Sequence, residues 1–450
     1  MRKLVFAAAM AALAGPWAAA RADVKPHALF TDGLVLQQGV KCPVWGTADP
    51  DERVSLELTP TEGGAVKDSV VAGKDGKWQA TLPAVKPGGP YKLKISGKNE
   101  ITLNEVYVGE VWVCSGQSNM EMHLKDCAGG KEAVASSKNS KIRLFHVPRK
   151  IAAEPLTDVA AKWQECNPDT VGDFSGVGYF FGRDLQKARD VPVGLIESSW
   201  GGTPAEAWTP KAALEANPDL KGLVPAEVKI DPGKKEGDQN AHQGTSLYNG
   251  MIAPLLPYAI KGVIWYQGES NTGQAYQYRT LFPAMIGAWR EAWKNPDMPF
   301  LFVQLAMYWN NKSDGVTYAE LREAQLLTTQ TLKNTAMAVI TDVSDEKDIH
   351  PKKKEPVGGR LALAALGVAY GEKVQYSGPT FDSLKFDGNK VLLSFKNVGK
   401  GLEARDGELT GFTVAGEDNV FHPAKAEIKG DTVVVTCDKV DKPAAVRYGW

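Results

Sequence analysis

From Asp23 to Leu103 apolar and polar residues alternate in short runs, as in Val54–Leu58 (VSLEL) and Tyr91–Ile95 (YKLKI). Turn-forming clusters such as Lys74–Lys77 (KDGK), Pro87–Pro90 (PGGP) and Ser96–Lys98 (SGK) separate them. Period-two alternation puts every second side chain on one face, so residues 23–103 are expected to form an accessory β-sandwich of half-buried strands. From about Glu105 the pattern changes. Apolar strand-like runs now alternate with helical segments near Gly178–Lys187, Tyr276–Trp293, Thr317–Leu332 and Val357–Tyr370. That order predicts an α/β domain over 104–371, a three-layer α/β/α arrangement with a mostly parallel sheet and helices on both faces. After about Glu372 strand signals return at Val391–Phe395, Gly411–Val414 and Thr432–Thr436, so 372–450 is expected to be a small C-terminal β region. The stretch Thr209–Thr245, rich in Pro, Asp and Lys, fits either a flap over a cleft or an inert surface excursion.

A chain of 450 residues with 43% hydrophobic content supports more than one core, in keeping with two or three domains. Its start, Met1-Arg2-Lys3 followed by an apolar run from Leu4 to Ala14 and then Ala20-Arg21-Ala22, has the parts of a secretory signal with cleavage expected after Ala22. The run is too short to span a membrane and is broken by Gly15-Pro16, so a periplasmic or secreted protein is expected, with no membrane span. Removing 1–22 takes away three positive charges and moves the net charge from −1 to −4, which argues against nucleic acid or an anionic membrane surface as partner. The five cysteines are widely spaced and lack a Cys-x-x-Cys pair, so neither a zinc site nor a disulfide scaffold is expected. One bridge is permitted, and Cys127 with Cys166 is the closest pair outside a predicted strand. With no nucleotide fingerprint or metal motif, no cofactor is expected.

Candidate chemistry sits in four blocks. Val111–Met120 (VWVCSGQSNM) runs an apolar strand into Gly116 and presents Ser118 where a helix should begin, which exposes a hydroxyl beside free first-turn amides. Val193–Thr203 (VGLIESSWGGT) ends in paired glycines, whose backbone can approach a ligand and donate an amide from Gly202. Gly262–Asn271 (GVIWYQGESN) opens into a loop in which Gln267 and Asn271 are candidate oxyanion donors. Asp348–Pro351 (DIHP) supplies His350, the residue type that most often serves as base to a serine, with Asp348 two positions earlier. In a sheet of this kind all four fall beyond the carboxyl ends of strands, where ligands bind.

Ser in the first block, Gly in the second, Asn in the third and His in the last resemble the SGNH hydrolase superfamily. More narrowly, Gly116–Glu121, Ser199–Trp208, Trp265–Asn271 and Asp348–Pro351 resemble bacterial sialate O-acetylesterases, and the likeness covers most of the chain after 22. The resemblance implies an SGNH-like fold and a serine esterase that removes O-acetyl groups from a sugar, sialic acid first and acetylxylan or another polysaccharide as the alternative. In this mechanism Ser118 attacks the acetyl carbonyl, His350 takes and returns the proton, and amides of Ser118 and Gly202 hold the oxyanion with help from Gln267 and Asn271. The acid is open: the superfamily often places Asp three before His, where this chain has Lys347, so Asp348 is the first choice, Asp345 the second, and a dyad without a carboxylate also fits. Trp200, Trp265 and Glu269 are candidate substrate contacts, the tryptophans fitting core packing equally well, and Arg360 fits either a sialate carboxylate or a structural ion pair. His123 is the rival base, and the short run Lys352–Lys354 reads as a solvated approach to a helix. Related chains usually continue past a segment like Ala445–Trp450, so the C-terminal β region fits either a whole unit or one cut short. A noncatalytic carbohydrate-binding protein is the distant alternative, and it leaves the pairing of Ser118 with His350 without a reason.

Overall fold

The computed structural model describes residues 23–60, 64–309, 316–405 and 407–450; the proposed signal segment lies outside them. Its organising element is the 17-residue strand Glu100–Gly116. Its first six residues are mostly exposed or half-buried and its last eleven are all buried. The sequence changes character at the same point, from ITLNE to VYVGEVWVCSG. The first part pairs antiparallel with Gly88–Ser96, and the second pairs parallel with Val193–Ser199 on one side and Gly262–Tyr266 on the other. Parallel strands are covered on both faces and read as continuous apolar runs, whereas antiparallel ones can leave a face wet. The domain boundary expected at 103/104 therefore falls inside one continuous strand.

The main sheet has the order Trp163–Cys166, Asn139–His146, Val193–Ser199, Glu100–Gly116, Gly262–Tyr266, Phe300–Val303, Thr335–Ala338, all parallel except the first, which runs antiparallel to its neighbour. Helices Gly176–Arg189 and Lys354–Val368 cover one face, where Phe180, Phe181, Leu361 and Ala365 pack on Trp112, Cys114, Leu195 and Ile264. Helices Ala275–Ala292 and Val316–Thr331 cover the other, with Phe282, Ile286, Trp289 and Leu321 against Val263, Trp265 and Phe300. Helix Lys354–Val368 begins three residues earlier than the apolar pattern indicates, which draws Lys354 into its first turn.

The accessory sandwich sets Lys25–Pro26, Cys42–Thr47 and Lys77–Leu82 against a second sheet of Val66–Val71, Arg53–Thr59, Gly88–Ser96 and the start of the long strand. At the C-terminal end, strands Thr380–Asp387, Lys390–Lys396, Thr432–Thr436 and Lys425–Lys429 form one antiparallel sheet. Phe412–Ala415 with its neighbours His422–Pro423 and Ala445–Tyr448 forms another, and Val391, Phe412, Val414, Val433 and Val435 fill the space between. All five cysteines are free and buried. Cys127 Sγ sits 3.3 Å from the His123 carbonyl and Cys166 Sγ 3.4 Å from that of Ser137, so the permitted bridge is not formed. Burial pushes these thiols up to about 11 and about 12. No helix among the described residues is long and apolar enough to cross a membrane.

Candidate active site

The nucleophile turn is made by Gly116. Its φ of +141° and the 2.1 Å between a built Cβ and the Tyr266 carbonyl leave room for no side chain, so the chain leaves the sheet sharply. Ser118 starts the short helix Ser118–Glu121 and is half-buried, while Asn119 and Met120 beside it are buried. Across the sheet edge the loop before helix Lys354–Val368 brings His350 to it, with Nε2 2.8 Å from Ser118 Oγ. Burial, the first cause, and the nearby Lys354 ammonium hold His350 below the ordinary imidazole value, with Asp348 opposing them. A neutral imidazole with a lone pair 2.8 Å from a hydroxyl is set to accept its proton.

The two candidate acids, and Asp342 further back in the chain, do other work. Asp348, expected to orient the imidazole, uses Oδ1 to accept the backbone N–H of His350 at 2.8 Å. It therefore closes the turn that carries His350 rather than bonding its ring. Asp345 accepts the Lys347 N–H at 2.9 Å in the same loop, and Asp342 forms a two-pronged pair with Arg360 at 2.6 Å. Short carboxylates bond backbone two residues on so readily that loop acids are commonly consumed in this way. Arg360 is accordingly a structural partner. His123 lies 3.6 Å from Asp173 and 3.8 Å from Asp126 through Nδ1, and His350 holds the contact with the serine.

On the other side of Ser118 lies the Gly201-Gly202 turn. A Cβ built on Gly201 would stand 3.2 Å from Ser118 Cβ and 3.0 Å from Glu121 Oε2, so this backbone touches the nucleophile turn. The Gly201 N–H is already taken by Glu121 Oε2 at 2.8 Å. Gly202, at φ +75°, and Ser118 have backbone N–H groups with no acceptor among the described residues. Gln267 and Asn271 are different. Asn271 Oδ1 accepts from Ala205 N at 2.9 Å and Gln267 Nε2 at 2.7 Å, and its Nδ2 donates to Glu206 Oε2 at 2.9 Å. Gln267 also reaches the Thr203 carbonyl at 3.2 Å and accepts from the Tyr278 hydroxyl at 3.0 Å. Both are buried, and these bonds tie them to the 203–206 loop, which engages donors that the sequence offers to an oxyanion.

The expected substrate contacts change for the same reason. Trp265 is fully buried, with ring centroids 5.8 Å from Trp289 and 6.1 Å from Trp208, and belongs to the core. Trp200 is also buried, with the Arg149 guanidinium 5.5 Å above its ring. Glu269 is half-buried as a residue, but its carboxylate is buried and accepts from Asn119 Nδ2 at 2.5 Å, and burial raises its pKa. Residues the sequence did not single out complete the site. Arg149 is bound to Glu121 Oε1 at 2.5 and 2.7 Å and leaves 42% of its side chain exposed at the rim. Lys354 is wholly buried rather than solvated, and burial lowers its pKa to about 8. Behind the glycine turn, Glu197 is buried beside His146 at 3.2 Å and its carboxyl is pushed up to about 8, first by burial. A cavity of about 790 Å³ lined by Gln38, Glu110, Lys261 and Tyr370 holds no residue of this site.

A strand-end serine in contact with a histidine, on a three-layer sheet with open amides beside the hydroxyl, defines a serine ester hydrolase of the SGNH type. A family model described as carbohydrate esterase, sialic acid-specific acetylesterase, matches residues 108–366, and the chain belongs to this family. It is 32% identical over 401 residues to the sialate O-acetylesterase of Homo sapiens, covering 81% of this chain and 75% of that one. It is 33% identical over 403 residues to that of Rattus norvegicus, covering 78% and 74%. Among solved structures, a carbohydrate acetylesterase from Xanthomonas citri superposes with a TM-score of 0.85 at 39% identity, covering 95% of this chain and 94% of that one.

Proposed function

We propose that this carbohydrate O-acetylesterase is exported and acts on O-acetylated sialic acid through a serine–histidine pair. The observation that carries the reading is the 2.8 Å contact between Ser118 Oγ and His350 Nε2 beside two unoccupied amides. Ser118 attacks the acetyl carbonyl as its proton passes to His350 Nε2, and the oxyanion is held by the N–H groups of Ser118 and Gly202. His350 returns the proton to the departing sugar oxygen, leaving an acetyl ester on Ser118. Water, deprotonated by the same nitrogen, then releases acetate. Because the base must be neutral and its pKa lies below 6.5, activity is retained on the acid side of the ordinary imidazole range.

The sialate preference is supported by the names of the curated relatives and by Arg149, a rim cation suited to a carboxylate. Export is supported by the leader-like residues 1–22 and would be checked by the N-terminus of the processed protein. The functional test is acetate release from O-acetylated sialic acid, acetylated xylo-oligosaccharides and an aryl acetate, with Ser118→Ala and His350→Ala alongside. The reading expects cleavage of the sialate and aryl esters by wild type and near-complete loss in both variants. Faster release from xylo-oligosaccharides would move the substrate to a neutral polysaccharide. Activity surviving in Ser118→Ala would remove the mechanism.

A further inference from the structure

A serine–histidine pair whose loop carboxylates are consumed by backbone needs something else to hold the imidazole in place. We propose that Lys354, acting through Asn119, is the residue that positions His350 against Ser118. The proposal rests on the serine–histidine reading above.

The contacts are continuous. Lys354 Nζ donates to Asn119 Oδ1 at 2.5 Å, and Asn119 Nδ2 donates to the Ile349 carbonyl at 2.9 Å and to Glu269 Oε1 at 2.5 Å. Asn119 follows the nucleophile and Ile349 precedes the base, so one side-chain amide clamps both to a common point. Lys354 opens the helix that follows the His350 loop, and its ammonium lies 4.9 Å from the centre of the Tyr266 ring. Tyr266 is in turn the residue whose carbonyl forces Gly116 to be glycine and accepts the Gln117 N–H at 3.0 Å. The clamp therefore gathers the ends of two strands, the nucleophile turn and the histidine loop.

Burying an ammonium is costly, and a methionine of similar length would fill the same space without that cost. The gain is in geometry. Asn119 can present its oxygen to Lys354 only by turning its nitrogen toward Ile349 and Glu269, so the cation fixes which way the amide points. The charge environment is also defined. Glu269, Cys127, Lys352 and Asp348 face Lys354, and Lys354, Asp348 and Lys352 face His350. Burial is the first cause that lowers the imidazole and Lys354 the larger of the two cationic ones, so the clamp adds to the bias toward the neutral base.

The test compares wild type with Lys354→Met, Asn119→Ala and the double variant on an aryl acetate, together with selective ¹⁵N-histidine NMR titration of His350. Lys354→Met is expected to keep or raise the melting temperature and leave KM near wild type. Its kcat should fall about 10- to 100-fold, the scale of a misplaced reacting group. The acid limb and the His350 titration should both move to higher pH by about 0.5–1. Asn119→Ala should lose similar turnover, and the double variant little more than either single one, because both break the same clamp. Single variants with turnover within twofold of wild type and an unmoved His350 titration overturn the proposal while leaving the esterase intact. Fully multiplicative losses overturn the clamp as a unit. Should Lys354→Met not fold, Asn119→Ala reads the same loss of kcat at constant KM. A wild type inactive on the aryl ester, with His350 titrating as an ordinary exposed imidazole, overturns both readings.

Discussion

Replacing Asn271 by Ala separates two roles that an asparagine in this block can have. As an oxyanion donor its loss would spare the fold and lower kcat by about 10²–10³. The structure instead gives its oxygen to Ala205 N at 2.9 Å and Gln267 Nε2 at 2.7 Å, and its nitrogen to Glu206 Oε2 at 2.9 Å. Truncation leaves two buried donors without an acceptor, and each such group costs about 1–3 kcal/mol, so the expected loss of stability is about 2–6 kcal/mol. At about 2–4 °C per kcal/mol for a unit of this size, melting should fall by roughly 4–24 °C. Differential scanning fluorimetry reads this directly, with aryl-acetate kinetics taken well below the lowered transition. A variant that melts within about 0.5 kcal/mol of wild type but has lost two or three orders of magnitude in kcat would refute the argument and return Asn271 to the oxyanion hole.

Arg149→Ala should raise KM for O-acetylated sialic acid while leaving the aryl acetate nearly unchanged; equal effects on both substrates would place Arg149 in support of Glu121 alone. Gly201→Ala introduces a Cβ 3.0 Å from Glu121 Oε2 and 3.2 Å from Ser118 Cβ, and the small displacement of the nucleophile should lower kcat by roughly tenfold with little change in KM. Glu197 has a folded-state value of about 8 against an ordinary 4.5, so the native state holds the extra proton and stability falls as pH rises between the two. Glu197→Gln should flatten that slope in melting curves taken from pH 5 to 8, and parallel slopes for variant and wild type would count against the buried carboxyl.

The sequence carried the layered architecture because burial leaves a direct trace. The strands Val193–Ser199 and Gly262–Tyr266 are buried throughout and mainly apolar, and the sandwich strands alternate. Ser118 was legible because it follows Gly116 at a strand end, and His350 because Pro351 follows it at a loop-to-helix boundary. The destinations of the amides and acids were not. Gln267, Asn271 and Asp348 have the right functional groups for catalysis, but a hydrogen-bond donor or acceptor in a sequence does not reveal whether a backbone group has claimed it. Lys354 was hidden more thoroughly, since three consecutive lysines look solvated. Only the earlier start of helix Lys354–Val368 turns the last of them inward. Trp265 and Glu269 show the same limit, for a block can be rich in functional side chains while their working groups are buried.

The long strand Glu100–Gly116 has a consequence for anyone wishing to shorten the protein. Its exposed end is stitched into the sandwich and its buried end delivers the nucleophile, so there is no linker at which the two can be parted. Excising 23–99 would strip Gly88–Ser96 and Val35–Gln37 from the strand that carries Ser118, leaving bare sheet edges on the very element that aims the hydroxyl. The accessory sandwich is thus a mounting bracket for catalysis, and a minimal enzyme would have to keep it.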